Sequence, residues 1–258
     1  MPAIATINLL GVAVSAVNMP SAVQQIHAWI RAKTPQYVCV SNTHSLVACR
    51  KEATLRQIHN KAGMVTPDGM PLVWLSHWAG QTQVSRVYGP DLLLAVCEYG
   101  QAFGFKHYFY GGAVGVADQL AARLTAHFPA LQVVGTYAPP FRELSAHEDQ
   151  IITAQIASSG ADIVWVGLGM PKQEYWMSEH TAKLPQVLIG VGAAFDFHAG
   201  VKRQAPRWMQ QRGLEWLFRL GTEPRRLWRR YLTTIPPFVV LALAQRLGLR
   251  QFPLDDVG

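Results

Sequence analysis

Cysteine, acid and long apolar runs are all in short supply in this chain, and each shortage excludes something. The three cysteines, Cys39, Cys49 and Cys97, are an odd number with no CxxC pair. That excludes a disulfide framework and a thiolate zinc site, and it suits a reducing, cytoplasmic location. The best apolar run, Pro237 to Ala244, stops at Gln245 and Arg246, too short to cross a membrane. The apolar N-terminus has no basic n-region and carries Asn8 inside its run, so it reads as two short strands rather than a signal peptide. Only 15% of residues are charged and half are hydrophobic, which excludes disorder; 258 residues suffice for one large or two small domains.

The charge that is present is lopsided. Against 16 Asp and Glu stand 23 Lys and Arg, a net +7, which favours an anionic partner: nucleic acid, lipid headgroups or a phosphorylated substrate. Much of the excess lies between Lys202 and Arg230, where Lys202, Arg203, Arg207, Arg212, Arg219, Arg225, Arg226, Arg229 and Arg230 are opposed only by Glu215 and Glu223.

From Tyr37 to Val191 short apolar runs alternate with helical patterns. Tyr37–Val40, 63–66, His107–Tyr110, Leu131–Gly135, Ile163–Val166 and Val187–Val191 read as strands, several without alternation, as suits strands covered on both faces. The expected fold is α/β: a mostly parallel, Rossmann-like sheet with helices on both faces, spanning residues 1–200. From 201 to 258 the pattern is helical only, and it mixes Arg, Trp, Tyr and Leu as a segment lying in a membrane interface does. A helical pair packed on the core is the competing reading.

Candidate site residues sit at strand ends, where open α/β sheets present ligands. After the strand at Tyr37–Val40 comes a polar corner, Ser41, Asn42, Thr43 and His44; there Asn42 also suits a helix cap. In TPDG, Pro67 and Gly69 hold Asp68 at the tip of a turn between a strand and the helix Met70–Trp78. A carboxylate there is either a plain turn residue or a general base. Arg86 stands ahead of the helix opened by Pro90 and Asp91, and Tyr137 lies in the loop around Pro139 and Pro140. In ADIVWVGLGMPKQE, Gly167 and Gly169 turn the backbone, Pro171 suits the first turn of a helix, and Lys172, Gln173 and Glu174 open it. Such a corner either binds an anion or merely connects strand to helix. Gly111, Gly112 and Gly115 make GGxxG rather than GxGxxG, a weak sign of a nicotinamide cofactor. Ser21 and Ser145 are expected helix caps, the latter in a box with Glu148, and the segment GAAFDFHAG reads as flexible.

Seven stretches, TPDGMPLVW, RVYGPDLL, FYGG, GTYAPPFR, ADIVWVGLGMPKQE, GVGAAFDFHAG and APRWMQQRGLEWLFRL, together resemble, in order, the motifs of the WecG/TagA/CpsF glycosyltransferases, family 26. The resemblance runs from about Tyr37 through Tyr231. It implies an inverting, metal-independent glycosyltransferase at the cytoplasmic membrane face, without cofactor. Such an enzyme moves a sugar from a nucleotide diphosphate donor to an acceptor on a polyprenyl diphosphate lipid, in surface polysaccharide assembly. The proposed catalytic aspartate of the family falls on Asp68, its glutamine on Gln173 and its arginine on Arg86. Where some members have a TPN-like corner this chain has SNTH, so the threonine falls on Ser41 and the asparagine on Thr43, leaving Asn42 or His44 to compensate.

The chemistry asks for a base and for cations at the leaving diphosphate. No DxD pair precedes a helix; Asp255 and Asp256 are adjacent at the terminus, so a divalent metal has no evident site. Arg86, the Gly169–Gln173 corner, Arg207, Arg212, Arg219, Arg225 and Arg226 are the candidates for the diphosphate. The partners expected are a nucleotide-sugar donor, the lipid-linked acceptor and an anionic membrane surface, with no nucleic acid and with homo-oligomerisation left open. A nicotinamide-dependent oxidoreductase on the same kind of sheet is the alternative. A nucleic-acid module, suggested by charge alone, lacks any recognition motif.

Overall fold

The computed structural model describes residues 4–254; Asp255 and Asp256 lie outside the described residues. In chain order the strands and α-helices are β1 (Thr6–Leu9), β2 (Val12–Ser15), α1 (Met19–Ala32), β3 (Gln36–Ser41), α2 (Thr43–Lys51), α3 (Ala53–Lys61), β4 (Met64–Pro67), α4 (Met70–Trp78) and α5 (Gly89–Gly100). Then follow β5 (Lys106–Gly111), α6 (Val116–His127), β6 (Gln132–Tyr137), α7 (Ala146–Ser158), β7 (Ile163–Gly167), α8 (Lys172–His180), β8 (Val187–Gly190) and α9 (Ala194–His198). The chain closes with α10 (Arg207–Gln211), α11 (Glu215–Thr222) and α12 (Pro224–Arg246). The fold is α/β and Rossmann-like. The chain divides into two compact units, one of residues 1–18, 41–88 and 204–258, the other of residues 19–40 and 89–203.

The second unit carries the parallel sheet, in the order β3-β8-β7-β5-β6. Its central strands are covered on both faces, which is why their sequences do not alternate: Val38, Phe109, Ile163, Val164, Trp165, Val166, Leu188 and Ile189 are all buried. Trp165 gains a polar partner there as well, its indole N–H donating to His107 Nδ1 at 3.0 Å. The first glycine of GGAVG is explained by packing: a Cβ on Gly111 would stand 2.6 Å from the backbone of Gly167 on the adjacent strand. That close approach, rather than a dinucleotide, accounts for Gly111. The segment expected to be flexible instead forms α9, because Phe195 is buried against Phe109 and Gly167.

In the first unit β1 and β2 form an antiparallel hairpin turned by Leu10 and Gly11, both at positive φ, as a two-residue turn that follows strand twist requires. Beside it, Val65 of β4 donates its N–H to Ser15 Oγ at 3.0 Å. Helix α12 is tied to the hairpin through Gln245, whose Oε1 accepts from Leu10 N at 3.0 Å and whose amide donates to Asn8 O at 2.9 Å.

Elsewhere the structure adjusts the expected elements. Helix α1 begins at Met19, so Ser21 lies inside its first turn rather than capping it. Ser145 does cap α7 in a box with Glu148. Tyr137 is the last residue of β6 rather than part of the loop, and Pro171 occupies the cap of α8. Helix α12 runs through Pro236 and Pro237, a pair that removes two N–H donors without ending it.

Candidate active site

The first unit contains a cavity of about 490 Å³ built from three local sources. The first is the corner after β3. Asn42 caps α2, its Oδ1 accepting from His44 N at 3.0 Å and Ser45 N at 3.4 Å, while Ser45 Oγ returns a bond from Asn42 N at 3.3 Å. The cap leaves the other end of the amide outward, and Asn42 Nδ2 donates to Asp68 Oδ2 at 3.4 Å. Asn42 thus does two things: it ends a turn and it touches the carboxylate. Thr43 and His44 also line the cavity, whereas Ser41 does not; its side chain is fully buried.

The second source is the TPDG turn. Asp68 N donates to Ser41 O at 2.9 Å, fixing the turn on the neighbouring corner, and Gly69 then caps α4. Burial, reinforced by the negative charge of Glu215, pushes Asp68 up to about 6 against the opposing pull of Arg86, Asn42 and Arg219. It is therefore largely ionised at neutral pH yet a stronger base than an ordinary aspartate.

The third source is the helical tail. Arg86 Nε donates to the backbone carbonyl of Asp68, while its Nη2 lies 2.5 Å from Glu215 Oε2 and 3.7 Å from Asp68 Oδ1. Its guanidinium also sits over the Tyr88 ring at 4.0 Å, and Tyr88 O–H donates to Glu215 Oε1 at 3.0 Å. Burial and the adjacent carboxylates push the Tyr88 phenol far up, so it remains a donor. Arg219 and Arg230 line the same space; Arg230 Nε is buried with no hydrogen-bond partner, and burial with the nearby Arg219 lowers its hold on its proton. His44 Nδ1 is 3.2 Å from Thr234 Oγ1, and burial plus the charge of Arg230 lowers His44 to about 4, leaving it neutral at pH 7.

Apolar side chains line much of the cavity: Met70, Pro71, Trp74, Leu75 and Trp78 of α4, and Ile235, Phe238, Val239, Ala242 and Leu243 of α12. Several of these remain open to solvent, with Trp78 58% exposed and Val239 and Leu243 each 47% exposed. One cavity thus brings together a carboxylate, several arginines and an apolar trough of α4 and α12 side chains.

Of the arginines expected at the site, Arg86, Arg212 and Arg219 line the cavity. Arg207, Arg225 and Arg226 do not; they are exposed, and Arg226 pairs with Glu223 at 2.6 Å. Tyr137, Gly169, Lys172 and Gln173 belong to the second unit. There Tyr137 is stacked on Tyr110, Lys172 is exposed, and Gln173 is buried with Nε2 donating to Glu174 Oε1 at 3.0 Å. Sequence reasoning missed Tyr88, Glu215, Arg230 and Thr234. Glu215 was visible only as one of two acids, with Glu223, opposing the run of arginines. Among the described residues no group of three or more His, Cys, Asp or Glu side chains could hold a metal ion.

A Rossmann-like fold with a cavity that sets a carboxylate beside several arginines suits group transfer on an anionic substrate. The chain belongs to the WecG/TagA/CpsF glycosyl transferase family, whose model matches residues 7–252. It is similar to an N-acetylglucosaminyldiphosphoundecaprenol N-acetyl-beta-D-mannosaminyltransferase of Bacillus spizizenii, with 32% identity over 75% of this chain and 72% of that one. A protein of the same description from Bacillus subtilis strain 168 is 25% identical over 87% of this chain and 85% of its own. The protein is a glycosyltransferase. Among the described residues no helix is long and apolar enough to cross a membrane.

Proposed function

We propose that this enzyme transfers a hexose or N-acetylhexosamine, with inversion, from a nucleotide diphosphate donor to a saccharide carried on a polyprenyl diphosphate. The observation that carries the reading is the lining of one cavity, which joins Asp68 and several arginines to a trough of apolar side chains. A diphosphate linked to both a sugar and an isoprenoid chain carries the matching kinds of groups. The two similar transferases act, by their names, on such an acceptor, which supports the same class here.

Asp68 takes the proton of the acceptor hydroxyl as its oxygen attacks the anomeric carbon. The bond from that carbon to the donor's diphosphate oxygen breaks, and the nucleoside diphosphate leaves with the electron pair. Its developing charge is met by the guanidinium groups of Arg86, Arg212, Arg219 and Arg230. Asn42 steadies Asp68 in place of the asparagine that the SNTH corner lacks at residue 43.

The tail from 201 onward is assigned to an anionic membrane surface, as a peripheral attachment at the cytoplasmic face. Trp208, Trp228, Leu232, Val240, Leu247 and Leu249 are exposed on it, as are Arg225, Arg229 and Arg250. Aromatic and aliphatic side chains beside arginines suit the headgroup boundary. The test of the reaction is a panel of labelled UDP-sugars with an N-acetylglucosaminyl diphosphate lipid, scored by product mass. Sugar transfer that Asp68→Asn abolishes supports the reading; full activity of that variant removes Asp68 as the base, and no product from any donor removes the acceptor class.

A further inference from the structure

The carboxylate of Glu215 has no part in the transfer as written, yet it is the group to which Arg86 is most firmly bound. Arg86 reaches it at 2.5 Å, against 3.7 Å to the Asp68 carboxylate. Both contacts use the same nitrogen, Nη2, so the two acids compete for one arm of the guanidinium. Nε is committed to the backbone carbonyl of Asp68, which fixes the hinge about which that arm swings. Tyr88 holds the competitor in place from below: its O–H donates to Glu215 Oε1, and its ring lies under the guanidinium.

We infer that Glu215 is a positioning residue: it holds the Arg86 guanidinium off the Asp68 carboxylate, so that this carboxylate stays available to accept a proton. The inference rests on Asp68 being the base. A carboxylate in direct contact with an arginine is a weak base, because the ion pair stabilises its charged form. With Glu215 in place Nη2 is engaged in an ion pair with it, and Asp68 keeps the raised proton affinity that burial gives it. The other groups facing this pair are few. Asn42 and Arg219 act on Asp68, and Tyr88 and Tyr231 feel the charge of Glu215; His44 and Arg230 line the same cavity. Of these groups His44, lowered to about 4 by burial and by Arg230, is already neutral near pH 6, and the titration is read at the Asp68 carboxyl signal itself.

The test is a titration of Asp68 by carboxyl carbon NMR in the full chain, comparing wild type, Glu215→Gln, Arg86→Met and the double variant. Glu215→Gln keeps the shape and an acceptor for Tyr88, so the fold is retained, which circular dichroism checks. In that variant the guanidinium closes on Asp68 and its midpoint falls by about 1 pH unit or more. In the Arg86→Met background the same change moves it far less, as a double-mutant cycle requires if the arginine is the agent. An unchanged or raised midpoint in Glu215→Gln overturns the inference, and so does an equal shift in both backgrounds, which would make Glu215 only a direct field. The transfer assay then shows the acid limb of kcat moving down with the midpoint and kcat falling on the order of 10-fold, as a weaker base does. Full activity of Asp68→Asn would instead remove the base assignment itself, while the four titrations would still report how Arg86 is shared.

Discussion

Two strand-to-helix corners in this molecule look alike in sequence and differ in what surrounds their acid. In the first unit β4 ends at Pro67, and Asp68 turns the chain into α4; in the second, β7 ends at Gly167, and Glu174 follows in the first turn of α8. Both acids are raised mainly by burial, Asp68 to about 6 and Glu174 to about 7. Their neighbours separate them. Asp68 lines a cavity beside Arg86, whereas Glu174 is 1% exposed, accepts from Gln173, and leaves Oε2 without a hydrogen-bond partner. A raised proton affinity alone marks burial; a cavity and a shared cation make it usable.

Breaking the comparison on its functional side gives the largest effect. Asp68→Asn should lower kcat by about 10²- to 10⁴-fold, the usual worth of a general base, with the fold retained. In wild type, kcat should decline as pH falls through about 6, since protonated Asp68 has no pair to offer. A flat profile from pH 5 to 8 would contradict this.

The next test concerns the apolar trough, which only the first corner has. Val239→Asp or Leu243→Asp places a charge on its wall at positions already half open to solvent. We expect KM for a long-chain lipid acceptor to rise by about 10-fold, from the loss of apolar burial worth about 1.5 kcal/mol or more. KM for a short-chain, water-soluble acceptor should not move; if it rises equally, the trough is not the seat of the lipid.

A smaller effect is expected at the surface of the tail. Arg225→Gln or Arg229→Gln should weaken binding to anionic vesicles by about 5-fold each at low salt, near 1 kcal/mol per charge. Sedimentation with vesicles of mixed anionic and neutral lipid measures it, and equal binding by wild type and variants would refute the assignment.

Glu174→Gln sharpens the contrast from the other side, with the smallest change in activity. A carboxyl raised in the folded state stabilises it fully below the unfolded value of about 4.5 and loses that contribution as pH rises through about 7. Wild type should therefore lose on the order of a few kcal/mol between pH 5 and pH 8 from this group, and the variant should not. Denaturant titrations at the two pH values measure the difference; identical pH dependence would show that Glu174 stays protonated or finds a partner.

Much of this was legible in the chain. Apolar runs such as Ile163–Val166 announced buried strands because a parallel sheet covered on both faces has no polar side to write into the sequence. The caps at Asn42 and Ser145 were legible for a local reason: their partners are three residues away. Glu215 was not. Its partner Arg86 is 129 positions distant, and nothing in the local pattern of α11 ties one to the other. The spacing of GGAVG likewise could not say why Gly111 is there, since what it avoids is the backbone of Gly167, a neighbour across the sheet.

The sequence by itself therefore determined the alternation of strands and helices, the local turn that presents Asp68, and the concentration of arginine in the tail, because each is a matter of neighbours along the chain. Which arginines face the cavity, which acid shares Arg86, and that apolar side chains line the same cavity as Asp68 were decided only by tertiary structure. Contacts between residues far apart in the chain bring these groups together, and no spacing encodes them.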